Sequence, residues 1–149
     1  ELVGSITVYS SKLKPINISK DIGKIIDELP ILFVIAALTK GISKFSNIGD
    51  LKNKESNRLL ESKKILDQAG IKCKITKDTM IIYGKDKIET KNRSIITKTK
   101  HDHRICMATA IISLATGIKT EIKNFETVNT SFPGFISLIK NLGGKIAIK

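Results

Sequence analysis

The chain has 149 residues and a net charge of +12, with 26 lysines and arginines against 14 acidic residues. At 41% hydrophobic and 27% charged residues, the composition predicts one globular domain spanning residues 1–149 and excludes collagen-like, coiled-coil and low-complexity proteins. The lysines are scattered and aromatic residues make up only 5%, so the chain offers no platform for stacking bases. We therefore expect no nucleic-acid partner in spite of the basic charge.

The first half of the chain has the pattern of strands arranged around two helices. Residues 2–10 and 14–18 alternate in polarity as strands do, with a break at Pro15. The segment from Ile31 to Leu38 is apolar almost all round and Gly41 follows it, which predicts a deeply buried helix. After it, the pattern predicts a strand over 42–48, a helix over 55–69, and strands over 71–76 and 80–84.

The second half repeats this pattern after a polar, lysine-rich loop. We predict a loop over 85–100 with a short strand at 87–90, a buried helix over 105–115, a strand over 119–125, a helix over 132–142 and a strand over 145–148. The segment Leu38-Thr39-Lys40-Gly41-Ile42 aligns with Leu114-Ala115-Thr116-Gly117-Ile118. Two internal repeats, about 24–84 and 102–149, are therefore expected, in an α/β fold whose layers pack around the two buried helices.

Charged residues gather at three predicted helix starts, in residues 27–30, 52–58 and 101–104. A helix start carries unsatisfied N–H groups and a partial positive charge, and both suit phosphate and carboxylate ligands. Each group also has a purely structural interpretation, as a helix cap at Asp27 or Asp102, or as an ion pair between Glu55 and Arg58. Arg104 needs a carboxylate or phosphate partner, since it begins an otherwise apolar helix in a chain with only three arginines.

Several cofactors and compartments are disfavoured by what the sequence lacks. His101 and His103 have the spacing of a ligand pair, but no third ligand stands at helical or hairpin spacing, so we expect no metal. The phosphate-binding and nucleophile motifs Gly-x-Gly-x-x-Gly, P-loop and Gly-x-Ser-x-Gly do not occur. Cys73 and Cys106 lack CxxC spacing and no apolar run reaches the ~20 residues of a membrane span, so we expect a cytoplasmic protein with no membrane contact.

Taken in order, the charged groups resemble the C-terminal part of the 5-enolpyruvylshikimate-3-phosphate synthase family, the 3-phosphoshikimate 1-carboxyvinyltransferases. The matching segments are residues 26–30 (Ile-Asp-Glu-Leu-Pro), 51–59 (Leu-Lys-Asn-Lys-Glu-Ser-Asn-Arg-Leu), 102–108 (Asp-His-Arg-Ile-Cys-Met-Ala) and 130–135 (Thr-Ser-Phe-Pro-Gly-Phe). The resemblance implies an inside-out, barrel-like α/β domain of repeated βαβαββ units. It also implies a missing N-terminal domain, because the family's chains are longer.

The resemblance further implies an activity and the residues that carry it. The family moves the enolpyruvyl group of phosphoenolpyruvate to the 5-hydroxyl of shikimate 3-phosphate and releases phosphate, without a cofactor, in the shikimate pathway. Asp27 would accept the proton of the attacking hydroxyl, and Glu55 would exchange the proton at the methylene carbon. Four further positions match the family's substrate-binding residues: Lys54, Arg58, His103 and Arg104. Without the N-terminal domain, the chain is expected to be inactive.

Two other interpretations stay open. A UDP-N-acetylglucosamine enolpyruvyl transferase-like domain would share the fold and the cofactor-free chemistry, but it would not combine the Lys-Glu-Ser-x-x-Arg and Asp-His-Arg motifs. A basic, non-catalytic module would bind a polyanion with a steep salt dependence, whereas an enzyme of this family would bind phosphoenolpyruvate saturably.

Overall fold

A computed structural model describes residues 4–99 and 101–147 of the chain. The helices are α1 (Leu29–Ala37), α2 (Arg58–Gln68), α3 (His103–Thr116) and α4 (Phe135–Asn141). The strands are β1 (Asn17–Ile18), β2 (Gly41–Phe45), β3 (Lys72–Thr76), β4 (Thr79–Gly84), β5 (Ser94–Lys98) and β6 (Lys119–Lys123). Three short 3-10 helices lie at Ile22–Glu28, Gly49–Asn53 and Phe125–Thr130. The α/β class predicted from the sequence is confirmed.

The strands form two sheets. In the first sheet the order is β1-β2-β4-β3, with β1 parallel to β2 and the other neighbours antiparallel. Its inward side chains include Phe45 opposite Met80, and Ile82 opposite Ser43, all of them buried. The second sheet pairs β5 with β6 in parallel, and α3 is the crossover between them. Both sheets therefore direct apolar residues towards the helices.

The main core surrounds α1, which is buried because it is apolar on nearly every side. Leu29, Phe33 and Val34 of this helix are buried, and Phe33 meets Phe45 of β2 edge-to-face, with ring centroids 4.9 Å apart. The same core includes Ile105 of α3, so both predicted buried helices share it. A smaller cluster consists of Cys106, Val128, Phe135 and Ile139 and packs α4 onto α3. Helices α1 and α3 pack against each other, and their N-terminal ends lie close together.

We propose that residues 24–84 and 102–149 are two copies of one structural unit. The two copies share an element order over most of their length, which is a buried helix, a strand, a 3-10 helix and a second helix, and the first copy then continues into β3 and β4. In the first copy these are α1, β2, Gly49–Asn53 and α2, and in the second they are α3, β6, Phe125–Thr130 and α4. In each copy the first helix belongs to a hydrophobic core that the second helix helps to close.

The predicted strands over 2–10 and 145–148 are wrong where the structure describes them. Residues 4–10 form no strand, and Ile6 is 92% exposed, because no strand in the described part of the chain lies beside this segment to pair with it. Residues 2 and 3 of that prediction lie outside the described part. Residues 145–147 are also not in a strand, and residue 148 lies outside the described part. Alternating polarity alone therefore does not predict a strand, because a strand also needs a neighbouring strand to pair with.

Other predicted boundaries also moved for physical reasons. The short strand expected at 87–90 is absent, and a strand over Ser94–Lys98 takes its place because Ile95 and Thr97 are buried beside β6. Helix α2 begins at Arg58 rather than at residue 55, since the Asn57 side chain accepts a hydrogen bond from the backbone N–H of Leu60 and caps the helix. In the described residues, no helix is both long enough and apolar enough to cross a membrane.

The end of β4 gives a test of this packing. Gly84 lies against the C-terminal end of α1, where a Cβ atom would collide with the carbonyl oxygens of Ala36 and Thr39. We expect Gly84→Ala to lower the free energy of unfolding by about 1 to 3 kcal/mol or more, because backbone atoms cannot yield easily. Gly23→Ala is the control, because a Cβ at Gly23 meets no atom within 4 Å. Equal urea midpoints for the two variants would contradict this packing.

Candidate active site

The N-termini of three helices meet at one place on the molecule. Asp27 and Glu28 precede α1, Glu55 and Ser56 precede α2, and Asp102 caps α3. Ion pairs connect these helix starts across 31 and 44 residues of sequence. The three charged groups therefore lie together on one face of the molecule. The partial positive charge of three helix starts is thereby added to the charges of the side chains.

Arg58, the first residue of α2, is the centre of this charged cluster. Its side chain is only 1% exposed, yet three of its nitrogens donate to three different carboxylates. Nε donates to Asp102 at 2.9 Å, one terminal nitrogen to Asp27 at 2.8 Å and the other to Glu55 at 2.5 Å. The guanidinium is a planar fork, so it fixes the directions of all three carboxylates at once.

Asp27 is also bound by the second cation of the cluster. Lys54 Nζ lies 2.9 Å from Asp27 Oδ1, the oxygen that also accepts from Arg58. The hydrogen bond from Lys54 lowers the pKa of Asp27 below its ordinary value of 3.8, the charges of Lys54, Arg104 and Arg58 lower it further, and partial burial opposes them. Asp27 is therefore ionised at neutral pH and fixed between two cations.

Arg104 is the third cation, and it reaches back to α1. It donates to the backbone carbonyl of Asp27 at 2.8 Å and to Glu28 Oε1 at 3.3 Å. Beside it, a groove of about 220 Å³ runs between α1 and α3, with apolar residues such as Ile31 and Met107 in its walls. Arg104 remains 32% exposed, so part of its guanidinium is open to a ligand.

Five of the six site residues predicted from the sequence are bonded to one another in the described part of the chain, and His103 is not. Asp27, Lys54, Glu55, Arg58 and Arg104 are joined by ion pairs or hydrogen bonds. His103 is the first residue of α3 and is half-buried beside this group, but in the described residues no hydrogen bond links its ring to the cluster. The roles that the resemblance gives to these six residues stay predictions.

Two members of the cluster were missed as functional residues. Asp102 was interpreted only as a helix cap, although its Oδ2 accepts from Arg58, and Ser56 donates to the same oxygen at 2.8 Å. The sequence carried one usable signal for this pair. Arg58 at one helix start and Asp102 at the next have opposite charges, so they can pair when the two starts converge.

The cluster offers no group of metal ligands within the described residues. Its chemistry is that of an ion-pair network, in which four carboxylates meet three cations: Asp27, Glu28, Glu55 and Asp102 with Lys54, Arg58 and Arg104. Such a site can hold anionic groups if they replace carboxylates on the cations, and it places the carboxylates of Asp27 and Glu55 on the two terminal nitrogens of one guanidinium.

Comparison with known proteins gives a consistent result. The family model described as EPSP synthase (3-phosphoshikimate 1-carboxyvinyltransferase) matches residues 2–139. A 3-phosphoshikimate 1-carboxyvinyltransferase of Campylobacter jejuni subsp. doylei is 40% identical over 146 residues, and one of Paramagnetospirillum magneticum is 33% identical over 148 residues. These alignments cover 98% and 99% of this chain but only 33% of each relative, so the chain spans about a third of their length.

Solved structures are similar as well. An EPSP synthase from Acinetobacter baumannii superposes with a TM-score of 0.74 at 34% sequence identity, over 88% of this chain and 30% of that one. The described fold is therefore the α/β fold of part of such a protein.

The lowered pKa of Asp27 gives a prediction about stability. A carboxyl whose folded pKa lies below its unfolded value stabilises the fold above the unfolded value, and this contribution is lost as the pH falls through the folded pKa. We expect Asp27→Asn to be less stable than the wild type above pH 3.8, and the gap to close as the pH falls below that value. Urea denaturation at a series of pH values measures this gap.

Lys54→Met supplies the control for that experiment. The Lys54 hydrogen bond is the main cause of the lowered pKa. In the Lys54→Met background, the difference in unfolding free energy that Asp27→Asn causes should therefore change less with pH than it does in the wild-type background. A gap that stays constant down to about pH 2 in the wild-type background would contradict the lowered pKa.

Proposed function

Since the chain belongs to the EPSP synthase family, we propose that it forms one part of a 3-phosphoshikimate 1-carboxyvinyltransferase. In this proposal the enzyme transfers the enolpyruvyl group of phosphoenolpyruvate to the 5-hydroxyl of shikimate 3-phosphate and releases phosphate. The chain would contribute one wall of the active site, and the part of the enzyme that its relatives have in addition would contribute the other. The names of the relatives favour this reaction over that of the UDP-N-acetylglucosamine enolpyruvyl transferases.

The proposal rests on one observation, which is that the Arg58 guanidinium donates hydrogen bonds to both Asp27 and Glu55. Transfer of an enolpyruvyl group needs one group to take the proton of the attacking hydroxyl and another to add and later remove a proton at the methylene carbon. Arg58 holds two carboxylates at 2.8 Å and 2.5 Å from its two terminal nitrogens, so they stand side by side in fixed directions. Two fixed carboxylates match these two roles.

The proposed steps assign the hydroxyl proton to Asp27 and the proton exchange at C3 to Glu55. Asp27 would take the hydroxyl proton as the new bond forms to C2 of phosphoenolpyruvate, while Glu55 in its acid form would deliver its proton to C3. The Glu55 carboxylate would then take a proton back from C3 as the bond between C2 and the phosphate oxygen breaks, and the departing phosphate would take up the proton held by Asp27. The lowered pKa of Asp27 keeps it ionised and ready, but makes it a weak base, so proton transfer must accompany bond formation rather than precede it.

Substrate binding in this proposal requires the ion pairs to rearrange. Both substrates carry several negative charges, whereas the cluster already has one more carboxylate than cations. The exposed cations are Lys54, at 28%, and Arg104, at 32%, so they would meet a phosphate or carboxylate first. An anion that reached Arg58 would have to displace Glu55 from it, which would free Glu55 for its part in the reaction.

We also propose that the enzyme works in the cytoplasm. Both cysteines are free thiols, and burial raises the pKa of Cys73 to about 12 and that of Cys106 to about 11. Thiols so rarely ionised are poor nucleophiles, which agrees with a protein that uses neither disulfides nor thiol chemistry.

Two substitutions in the complete enzyme, this chain together with the part that its relatives have in addition, test the assignment. Glu55→Gln keeps the shape but cannot transfer a proton, so we expect kcat to fall strongly with little change in substrate binding. Arg104→Ala removes a charged hydrogen-bond donor, so we expect binding of phosphoenolpyruvate to weaken by about 1.5 to 3 kcal/mol. Steady-state kinetics and equilibrium binding measure the two effects.

The chain offers a matched control for each variant. Glu61 pairs with Lys64 farther along α2, and Arg93 donates to the backbone carbonyl of Glu89, both away from the cluster. Glu61→Gln and Arg93→Ala should leave kcat and binding close to wild type. An unchanged kcat in Glu55→Gln would remove that residue from the proposed mechanism.

The 149-residue chain by itself should fold but not turn over. Its two hydrophobic clusters are closed by its own helices, so folding needs no partner. Catalysis, however, requires the substrates to be enclosed and every charge that develops to be stabilised, and this chain spans only a third of its relatives. Phosphate release from the two substrates should stay at background, and should rise when the remaining part is added. Turnover by the chain alone would refute the proposal that the active site is shared between this chain and the rest of the enzyme.

A further inference from the structure

Asp102 is a fully buried carboxylate that the proposed steps leave without a role. It is 0% exposed, and each of its two oxygens has a separate function. Oδ1 accepts from the backbone N–H groups of Arg104 at 3.1 Å and Ile105 at 3.4 Å, which caps α3. Oδ2 accepts from Arg58 Nε at 2.9 Å and from Ser56 Oγ at 2.8 Å. One side chain thus joins the start of α2 to the start of α3.

A helix cap alone does not explain this residue. Capping requires one oxygen, and Asn57 caps α2 with a neutral amide. A buried carboxylate is costly unless it is paired and fully hydrogen-bonded, so a residue needed only as a cap gains nothing from a second, charged oxygen. That oxygen faces Arg58, whose side chain is itself only 1% exposed. The charge of Asp102 is therefore matched to the guanidinium and not to the helix.

We propose that Asp102 is a positioning residue of the transferase. It fixes the guanidinium of Arg58 through Nε, and the two terminal nitrogens of Arg58 in turn fix the carboxylates of Asp27 and Glu55. Through its other oxygen it also fixes the backbone from which Arg104 projects. The inference rests on the proposed function, because it assigns to Asp102 the geometry of that function's two proton-transfer groups. A displacement of about 1 Å at such groups can lower the rate on the order of 100-fold.

The first test measures the mobility of Arg58 in the 149-residue chain. NMR relaxation of the Arg58 Nε–H bond should give an order parameter near that of rigid backbone, about 0.85, in the wild type. In Asp102→Asn, one amide oxygen cannot serve both the cap and the guanidinium, so the order parameter should fall below about 0.6. Should this variant not fold, Asp102→Ser, which keeps a capping oxygen, replaces it. An Arg58 side chain that remains rigid in the variant would overturn the proposal.

A matched control separates positioning from stability. Thr109 is also 0% exposed in α3, and its hydroxyl donates to the carbonyl of Ile105 at 2.7 Å without touching the cluster. Thr109→Ala should destabilise the helix but leave the order parameter of Arg58 and the kcat of the complete enzyme within about twofold of wild type. If Thr109→Ala lowered both as much as Asp102→Asn, Asp102 would be a structural residue only.

The second test asks whether Asp102 acts through the proton-transfer groups. In the complete enzyme, Asp102→Asn should lower kcat about 100-fold in the wild-type background, but less than about tenfold when Glu55→Gln is already present. Equal losses in the two backgrounds would overturn the positioning role while the transferase activity of the wild type still upheld the proposed function. A wild-type enzyme without any transferase activity would instead refute the proposed function, and this role of Asp102 with it.

Discussion

A buried guanidinium with three carboxylates around it is the constraint on which the charged cluster depends. Arg58 is almost wholly removed from water, and a charge so placed is tolerated only when it is paired and hydrogen-bonded. Its three partners come from three separate segments, namely Asp27, Glu55 and Asp102. The chain must therefore bring three helix starts together before this charge is satisfied. Loss of one partner would leave a buried N–H donor of the guanidinium without its acceptor.

The parts of the fold that depend on local pattern could be predicted from the sequence, and those that depend on a neighbour could not. Helix α1 was predictable because it is apolar on nearly every side, and α3 because Gly117 follows a similar run. Residues 4–10 alternate like a strand but form none, since a strand needs a partner and the described chain places none beside it. Strand β5 was missed because its only apolar residues, Ile95 and Ile96, are adjacent rather than alternating, and because its partner β6 lies beyond α3 in the chain.

The sequence predicted which residues belong to the charged cluster better than it predicted which of them contact one another. The sequence placed charged groups at three helix starts, and the family motifs indicated which of their residues would take part. Neither signal could show that Arg58 is buried behind carboxylates while Arg104 remains partly open. That difference arises from tertiary packing, because Asp27 and Asp102, which bond to Arg58, come from the starts of α1 and α3. Asp102 was overlooked for the same reason, since from sequence a helix cap and an ion-pair partner look alike.

The net charge of the chain and the charge of its cluster have opposite signs, and this bears on how the site would take anions. The cluster holds four of the 14 acidic residues but only three of the 26 basic ones. The basic surface can raise the local concentration of anionic ligands, but it does not make the site itself positive. Affinity must then come from exchange, in which a phosphate or carboxylate replaces a protein carboxylate on the same cation. In the function proposed above, such an exchange at Arg58 would tie binding to the release of Glu55, so the ligand itself would free the carboxylate that takes part in its reaction.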